Sequence, residues 1–394
     1  MSVLQKIIRN GSAMVVTVAC DVLGSENNGT STAAMNLIRY LKSKGHEVRV
    51  ICPDSGRKGE PGYFVVPTMN FHIFNDYVAK NGVTIAKPDK EVIMSAVEGS
   101  DVVHVMMPFF IGHYACKYAV EKGIAVTAGF HCQAENLTNH FFLMNIQAAN
   151  KLAYKEFYRL LYKYCDCIHY PTQFICDTFE AQVGPTNHYI ISNGVGKEFV
   201  YRPDVKKPEK YKDNIVILFT GRYSREKSHK VLIDGVSLSK YKDKIQLILA
   251  GSGPQRDNLI KYAAKKLSIQ PVFNFFSHKE LVEVINYSDL YVHPAEIEIE
   301  AISCVEAISC GKTPIISNSE RSATRHFALS DKNLFKCNDP ADLAAKMDYW
   351  IEHPEEREEC SRQYIGFSKQ FSFDSCMERM EQMLFDAVKV KKGA

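Results

Sequence analysis

Short apolar runs alternate with helix-patterned stretches along this chain, in two separate series. In the first, Met14–Cys20 reads as a buried strand. Residues 30–44 then place Ala34, Leu37, Ile38 and Leu41 at helical spacing, stop at Gly45, and lead into a strand over Val48–Cys52. Val102–Met106, Ala125–Ala128, Cys167–Tyr170 and Tyr189–Ser192 continue the pattern. Apolar runs without in–out alternation belong to strands covered on both faces, which implies a parallel sheet with helices on each side. The second series has strands over 215–220, 245–250, 272–276, 290–293 and 313–316, with helices over 230–240, 255–267, 280–287 and 301–310. The expected fold is α/β: two tandem Rossmann-like, doubly wound domains whose strand ends face a cleft.

Residues 196–213 separate the two series. They hold Pro203, Pro208 and five lysines and read as a linker. The expected division is 1–195, a linker over 196–213, 214–370, and an amphipathic C-terminal segment over 371–394. A chain of 394 residues is long enough for two full cores. Net charge is +3, so bulk charge does not argue for nucleic acid, and any anionic partner must meet a local patch. No run of 18 apolar residues exists. The 12 cysteines lack metal-knuckle spacing, Cys165 and Cys167 being only two apart, which fits a reducing cytoplasm.

The chemistry concentrates in the second series. Glu298 and Glu306 straddle the start of an apolar helix pattern, Ala301-Ile302-Ser303 forming its first positions. A helix N-terminus offers free N–H groups to phosphate, and glutamates suit sugar hydroxyls, so the stretch fits a sugar nucleotide. Thr220-Gly221-Arg222 through Lys227 follows a strand and brings two cations to its end. Fixed positive charge there suits a diphosphate leaving group. Taken alone, an Arg/Lys pair is more often a basic surface loop. Gly251-Ser-Gly253 closes the next strand; a tight strand–helix turn explains it fully, and the third glycine of a dinucleotide fingerprint is missing. That absence argues against a nicotinamide dehydrogenase.

The Glu-x7-Glu pair, the trailing Glu306-Ala-x-x-x-Gly311-x-x-Pro314 and the Gly221-Arg222-x4-Lys227 loop resemble the donor site of family-4 retaining glycosyltransferases of the two-domain GT-B fold. The resemblance implies that Arg222 and Lys227 hold the two phosphates, that Glu306 accepts the ribose hydroxyls and that Glu298 meets a hydroxyl of the transferred sugar. It also implies that Gly251 and Gly253 lie near the nucleotide, that the backbone around Ser277 meets the base, and that the C-terminal helix crosses back onto the first domain. Ala301 stands where glycine is common in the family. No cofactor or metal is expected, since the two cations already supply positive charge.

In the first domain, Asn27-Asn28-Gly29 occupies the place of the family's Gly-Gly loop, and an ordinary turn is an equal reading. His131 follows a strand; a lone histidine there is more often structural, but the family has one beside the donor sugar. His131-x-Gln133-x-Glu135-Asn136 looks like glycosyltransferases that glucosylate diacylglycerol, which implies an acceptor role for the polar three. Lys151, Lys155, Arg159 and Lys163 recur every fourth residue among Tyr154, Phe157, Tyr158, Leu161 and Tyr162, just after His140-Phe141-Phe142. Such a helix lies on an anionic bilayer, or it is a core helix with a solvated lysine face. Phe71, Ile73, Phe74, Phe109, Phe110 and Ile111 line an apolar acceptor site or belong to the core. The resulting expectation is a peripheral, cytoplasmic-face enzyme moving a hexose, glucose foremost, from a UDP-sugar to diacylglycerol or a related lipid with retention. Its rivals are the same donor chemistry with a polysaccharide, protein or small-molecule acceptor, and a nucleotide-sugar-binding partner without turnover.

Overall fold

The structure is a computed structural model and describes residues 13–24, 29–70, 85–139 and 143–393. Asn27, Asn28, Phe71, Ile73, Phe74, His140, Phe141 and Phe142 lie outside these residues. The chain divides into two compact units, residues 1–193 with 376–394, and residues 194–375.

The first unit holds seven strands: β1 (Val15–Ala19), β2 (Glu47–Cys52), β3 (Tyr63–Val65), β4 (Val102–Val105), β5 (Ala125–Gly129), β6 (Cys167–Tyr170) and β7 (His188–Ile190). Their order is β3-β2-β1-β4-β5-β6-β7, every neighbour parallel. This is doubly wound, with strand order reversing beside β1. The second unit repeats the scheme with β8 (Ile215–Thr220), β9 (Ile245–Ala250), β10 (Val272–Asn274), β11 (Leu290–His293), β12 (Pro314–Ser317) and β13 (Leu334–Phe335). Its order is β10-β9-β8-β11-β12-β13, again all parallel. The central strands are the long apolar runs of the sequence: β9 is buried at all six positions and β4, β5, β11 and β12 throughout.

The C-terminal helix Phe373–Lys391 joins the first unit from residue 376 onward. Met377, Met380, Met383, Leu384, Ala387 and Val388 give it a buried stripe at helical spacing. Polar ties fix its register: Glu381 meets the His46 Nε2 at 2.7 Å, Asp386 accepts from the Tyr189 hydroxyl at 2.7 Å, and Lys391 reaches Asp166 at 3.2 Å.

The stretch 196–213, expected as a linker, is part of the second unit. Phe199 and Tyr211 enter its core, Arg202 N donates to Asn286 Oδ1 at 2.7 Å, and Lys207 pairs with Asp289 at 2.6 Å. Its prolines and lysines mark the outer face of a packed segment.

Candidate active site

At the C-terminal end of the second sheet, three loops are laced together by backbone hydrogen bonds. Gly221 N donates to Ala250 O at 2.9 Å, Tyr223 N to Ser252 O at 2.8 Å, and Gly251 N to Asn274 O at 2.8 Å. The two glycines of Gly251-Ser-Gly253 are what permits this. A Cβ at Gly251 would lie 2.0 Å from Gly221 O, and one at Gly253 would lie 2.7 Å from the Tyr223 backbone N. Tyr223 is itself fully buried, its hydroxyl donating to Leu249 O at 2.6 Å. The turn thus clamps the residues on both sides of Arg222 and fixes where that guanidinium starts.

The same loop continues to Lys227. Glu296 N donates to Glu226 O at 2.8 Å, which ties it to the segment after β11. That segment is anchored in turn: Ser319 Oγ donates to Glu296 O at 2.7 Å, Arg321 pairs with the Glu296 carboxylate, and Ala323 N donates to Glu298 O at 2.9 Å. Glu298 is nearly buried and forms an ion pair with Lys227. His293, at the end of β11 and fully buried, meets the same carboxylate through Nε2 at 3.1 Å, while the Tyr291 hydroxyl lies 3.1 Å from its Nδ1. Burial disfavours protonated imidazole here and lowers the His293 pKa. We therefore assign the proton to Nε2, which donates to Glu298, with Tyr291 donating to Nδ1. Burial works to raise the Glu298 pKa, but the Lys227 ammonium and then the His293 contacts reverse it, holding the carboxyl down at about 2. The family resemblance implies separate partners for Lys227 and Glu298, phosphate and sugar; in this structure the two neutralise each other.

Ala301 precedes the helix Ile302–Ser309 in the left-handed conformation, φ 60°, ψ 69°. This gives the physical reason for glycine at such a position, because an alanine there is strained. Helix geometry leaves the N–H groups of Ile302 and Ser303 in the first turn without a partner inside the helix. Glu306 sits on the same helix, half-buried, and among the described residues its carboxyl shows no hydrogen-bond partner. Burial, and then the charge of Glu198, push its pKa up to about 8. Arg222 follows β8, Glu298 and Glu306 follow β11, and these two strands are neighbours in the sheet. Positive charge, free backbone donors and an unsatisfied carboxyl therefore share one sheet end.

Ser277 caps the helix His278–Tyr287 in a Ser-x-x-Glu capping box, and its own N–H donates to Glu280 at 2.8 Å. Phe275, 62 % exposed just after β10, went unnoticed in the sequence and is the aromatic surface at this strand end. His293 and Tyr291 were missed too, since their pairing with Glu298 exists only once β11 has folded.

In the first unit, Gly29 opens the helix Gly29–Ser43, and among the described residues a Cβ there would meet nothing within 4 Å. The first turn of the helix Phe110–Glu121 is closed by a protein carboxylate: buried Asp21 accepts from Ile111 N at 2.9 Å and Gly112 N at 3.3 Å. Burial pushes the Asp21 pKa up to about 7 against those bonds. Phe110 is 47 % exposed, Phe109 half-buried, and Ile111 in the core. His131 is half-buried beyond β5. Gln133 and Glu135 are buried, and Glu135 accepts from the Tyr154 hydroxyl at 2.8 Å, joining the helices Ala134–Asn139 and Gln147–Leu160. That bond gives Glu135 a structural task; Asn136 remains half-exposed.

On the helix Gln147–Leu160, Tyr154 and Phe157 are core, as are the following Leu161 and Tyr162. Lys151, Lys155, Arg159 and Lys163 are all exposed, Arg159 pairing with Glu156 at 2.7 Å. Leu143, Ile146 and Leu152 are exposed beside them, Leu152 at 62 %. Among the described residues no helix is long and apolar enough to cross a membrane. One group, Cys176, Glu180 and His188, brings three metal-ligating atoms within 4.8 Å of one another among those residues. It stands at the start of β7, the opposite sheet end from His131, and Glu180 is occupied by the Thr186 N–H and hydroxyl at 2.9 and 2.7 Å.

Comparison with known proteins agrees with this architecture. A model described as Glycosyltransferase Family 4 matches residues 27–199, and one described as Glycosyl transferases group 1 matches residues 201–365. The chain belongs to the family-4 glycosyltransferases of the GT-B fold. It is similar to the alpha-monoglucosyldiacylglycerol synthase of Streptococcus pneumoniae, 22% identical over 323 residues, covering 77% of this chain and 71% of that protein. A GDP-mannose-dependent alpha-mannosyltransferase of Corynebacterium glutamicum is 23% identical over 313 residues, 76% of this chain and 71% of that one. The solved structure of Anabaena Alr3699/HepE with UDP and glucose superposes with a TM-score of 0.74 at 14% identity, over 95% of this chain and all of that one, and shows the shared fold. The catalytic domain of cholesterol-alpha-glucosyltransferase from Helicobacter pylori is 46% identical over 40% of this chain and 99% of that one, with a TM-score of 0.39.

Proposed function

We propose that this glycosyltransferase moves a hexose, glucose foremost, from a UDP-sugar to a lipid acceptor such as diacylglycerol, with retention, at the cytoplasmic face of a membrane. The observation that carries the donor half is the sheet end of the second unit. Glu306 presents a half-buried carboxyl without a partner, suited to two adjacent ribose hydroxyls. Arg222 and Lys227, on the one loop after β8, bring fixed positive charge where charge develops on a departing diphosphate. Glu298, ionised and oriented by His293, is the carboxylate for a hydroxyl of the transferred sugar. No metal enters this reading.

Lys227 has a double role on this account. It neutralises Glu298 when the site is empty, and sharing it with phosphate leaves Glu298 free to accept from the sugar. Front-face attack, a donor phosphate oxygen taking the acceptor's proton, requires no protein nucleophile and gives retention. Of the first unit's residues we assign His131 to the reaction, with Gln133 and Asn136 toward the acceptor.

The acceptor half rests on the exposed Lys151, Lys155, Arg159 and Lys163 with Leu143, Ile146 and Leu152 among them, a surface suited to an anionic bilayer. Likeness to a protein named for monoglucosyldiacylglycerol supports a lipid. A second reading for the donor, GDP-mannose, is favoured by the similarity to GDP-mannose-dependent mannosyltransferases.

The deciding experiment offers labelled UDP-glucose, UDP-galactose or GDP-mannose with anionic vesicles that carry diacylglycerol, a sterol or neither. Label from UDP-glucose entering the organic phase only with a lipid acceptor is the expected result. Transfer indifferent to vesicles sinks the lipid half; a preference for GDP-mannose sinks the donor half.

A further inference from the structure

Three histidines of the first unit stand around one glycine. His104 lies in β4, His169 in β6 directly beside Gly129 in the strand register, and His131 two residues beyond the end of β5. A Cβ on Gly129 would lie 2.4 Å from His131 Nε2 and 3.6 Å from His104 Nε2, so both nitrogens border the same small space. His169 meets His131 edge-on, ring centroids 5.6 Å apart. Glycine inside a strand weakens it and marks a close approach, and here the approach is that of imidazoles.

Each outer ring has one nitrogen engaged. His104 Nδ1 lies 2.9 Å from Thr127 Oγ1, and His169 Nε2 donates to Ile191 O at 2.6 Å. The other nitrogens, His104 Nε2 and His169 Nδ1, are buried without a partner, as is His131 Nε2. The carbonyl bond fixes His169 with its proton on Nε2, leaving Nδ1 as an acceptor. Burial first keeps all three neutral, helped at His104 and His131 by the neighbouring rings and opposed at His169 by its bond to the Ile191 carbonyl. Orphaned buried nitrogens on three neighbouring rings, two of them bordering one space, are costly unless something fills their hydrogen bonds. The rings do not form a set compact enough for one shared metal ion. A single oxygen that donates and accepts satisfies a polar site of this kind.

We propose that His104 and His169 are positioning residues for His131: the three rings bind one buried hydroxyl oxygen, a water in the ligand-free protein, that fixes which nitrogen of His131 carries its proton. The inference rests on His131 belonging to the reaction, as assigned above. It adds a binding site for an oxygen and two residues that act through it.

The test has a readout independent of any substrate. In protein carrying 15N-labelled histidine, His131 is assigned by its disappearance in His131→Gln. Wild type should show His131 as one neutral tautomer, and His104→Phe should turn it into an exchanging mixture. His169→Gln, which keeps a donor for Ile191 O, should do the same if the phenylalanine variant does not fold. Unchanged His131 signals in both variants overturn the proposal. So does a crystal structure with no oxygen within hydrogen-bonding distance of at least two of the three nitrogens. In the transfer assay each variant should lower kcat roughly tenfold with donor KM unmoved, and add nothing to His131→Gln; additive losses would also overturn it. If no donor is turned over, the assigned reaction has failed, and the nitrogen spectra still decide this inference.

Discussion

The two units share a strand order and differ in what stands at their strand ends. The second unit presents separated, ionised groups: Lys227 against Glu298, with Arg222 clamped nearby by the Gly251-Ser-Gly253 turn. The first unit presents neutral imidazoles in the interior and keeps its cations on an outer helix, at Lys151, Lys155, Arg159 and Lys163. The same doubly wound frame thus carries local, directed charge in one place and diffuse surface charge in the other. Directed charge suits a leaving group, and diffuse charge suits a surface.

The largest expected effect tests the directed side. Lys227→Ala should cut turnover at least about a hundredfold, as removing a preorganised donor to developing charge does elsewhere. It should also lower the melting temperature, because Glu298 is left nearly buried without its counter-charge, with only neutral His293 beside it. Lys227→Ala with Glu298→Gln should recover the stability and not the turnover. Recovery of both would mean that the pair is structural only.

The diffuse side predicts a smaller change of another kind. Lys151→Glu with Lys155→Glu should weaken partition onto anionic vesicles roughly thirtyfold, at about 1 kcal/mol per lysine removed. Donor hydrolysis in solution should stay as it was. Vesicle binding that ignores the two reversals would return this helix to an ordinary solvated face.

Glu298 and Glu306 sharpen the comparison from inside one motif, since their environments push them apart. Glu306→Ala should raise the donor KM roughly tenfold with little change in kcat, the loss of about one hydrogen bond's worth of uniform binding. The pH dependence of stability has opposite signs at the two sites. Glu306 titrates near 8 when folded and near 4.5 when unfolded, so the folded state holds the extra proton between those values. Stability therefore falls as pH rises through that window. Glu298 titrates near 2 when folded, so its contribution is complete above pH 4.5 and is lost as pH falls toward 2. Thermal melts of Glu306→Gln should gain on wild type from pH 5 to pH 8; a constant difference would contradict the raised pKa.

The smallest effect is at Ala301. Ala301→Gly should stabilise the protein by about 0.5–1 kcal/mol by relieving a left-handed alanine. A loss of stability on that change would show that the strain is not there.

Much of this was legible in the sequence for a physical reason. The central strands are continuous apolar runs, and Arg222, Lys227, Glu298 and Glu306 stand at strand ends that those runs define. β13, two residues long, and β3, half-buried, carry too little pattern to be read. The 196–213 segment was misread because composition shows its prolines and lysines and hides the buried faces of Phe199 and Tyr211. The capping box at Ser277 was present in plain spacing, a serine followed three residues later by Glu280. His293 beside Glu298 and the ring of His104, His131 and His169 are non-local pairings, which only the folded register brings together.

A structure of the protein with UDP bound tests the central claim most directly. The account predicts the ribose diol on the Glu306 carboxyl and the diphosphate between Arg222 and Lys227, with Lys227 drawn from Glu298. UDP seated away from Glu306, or a diphosphate untouched by either cation, would contradict it.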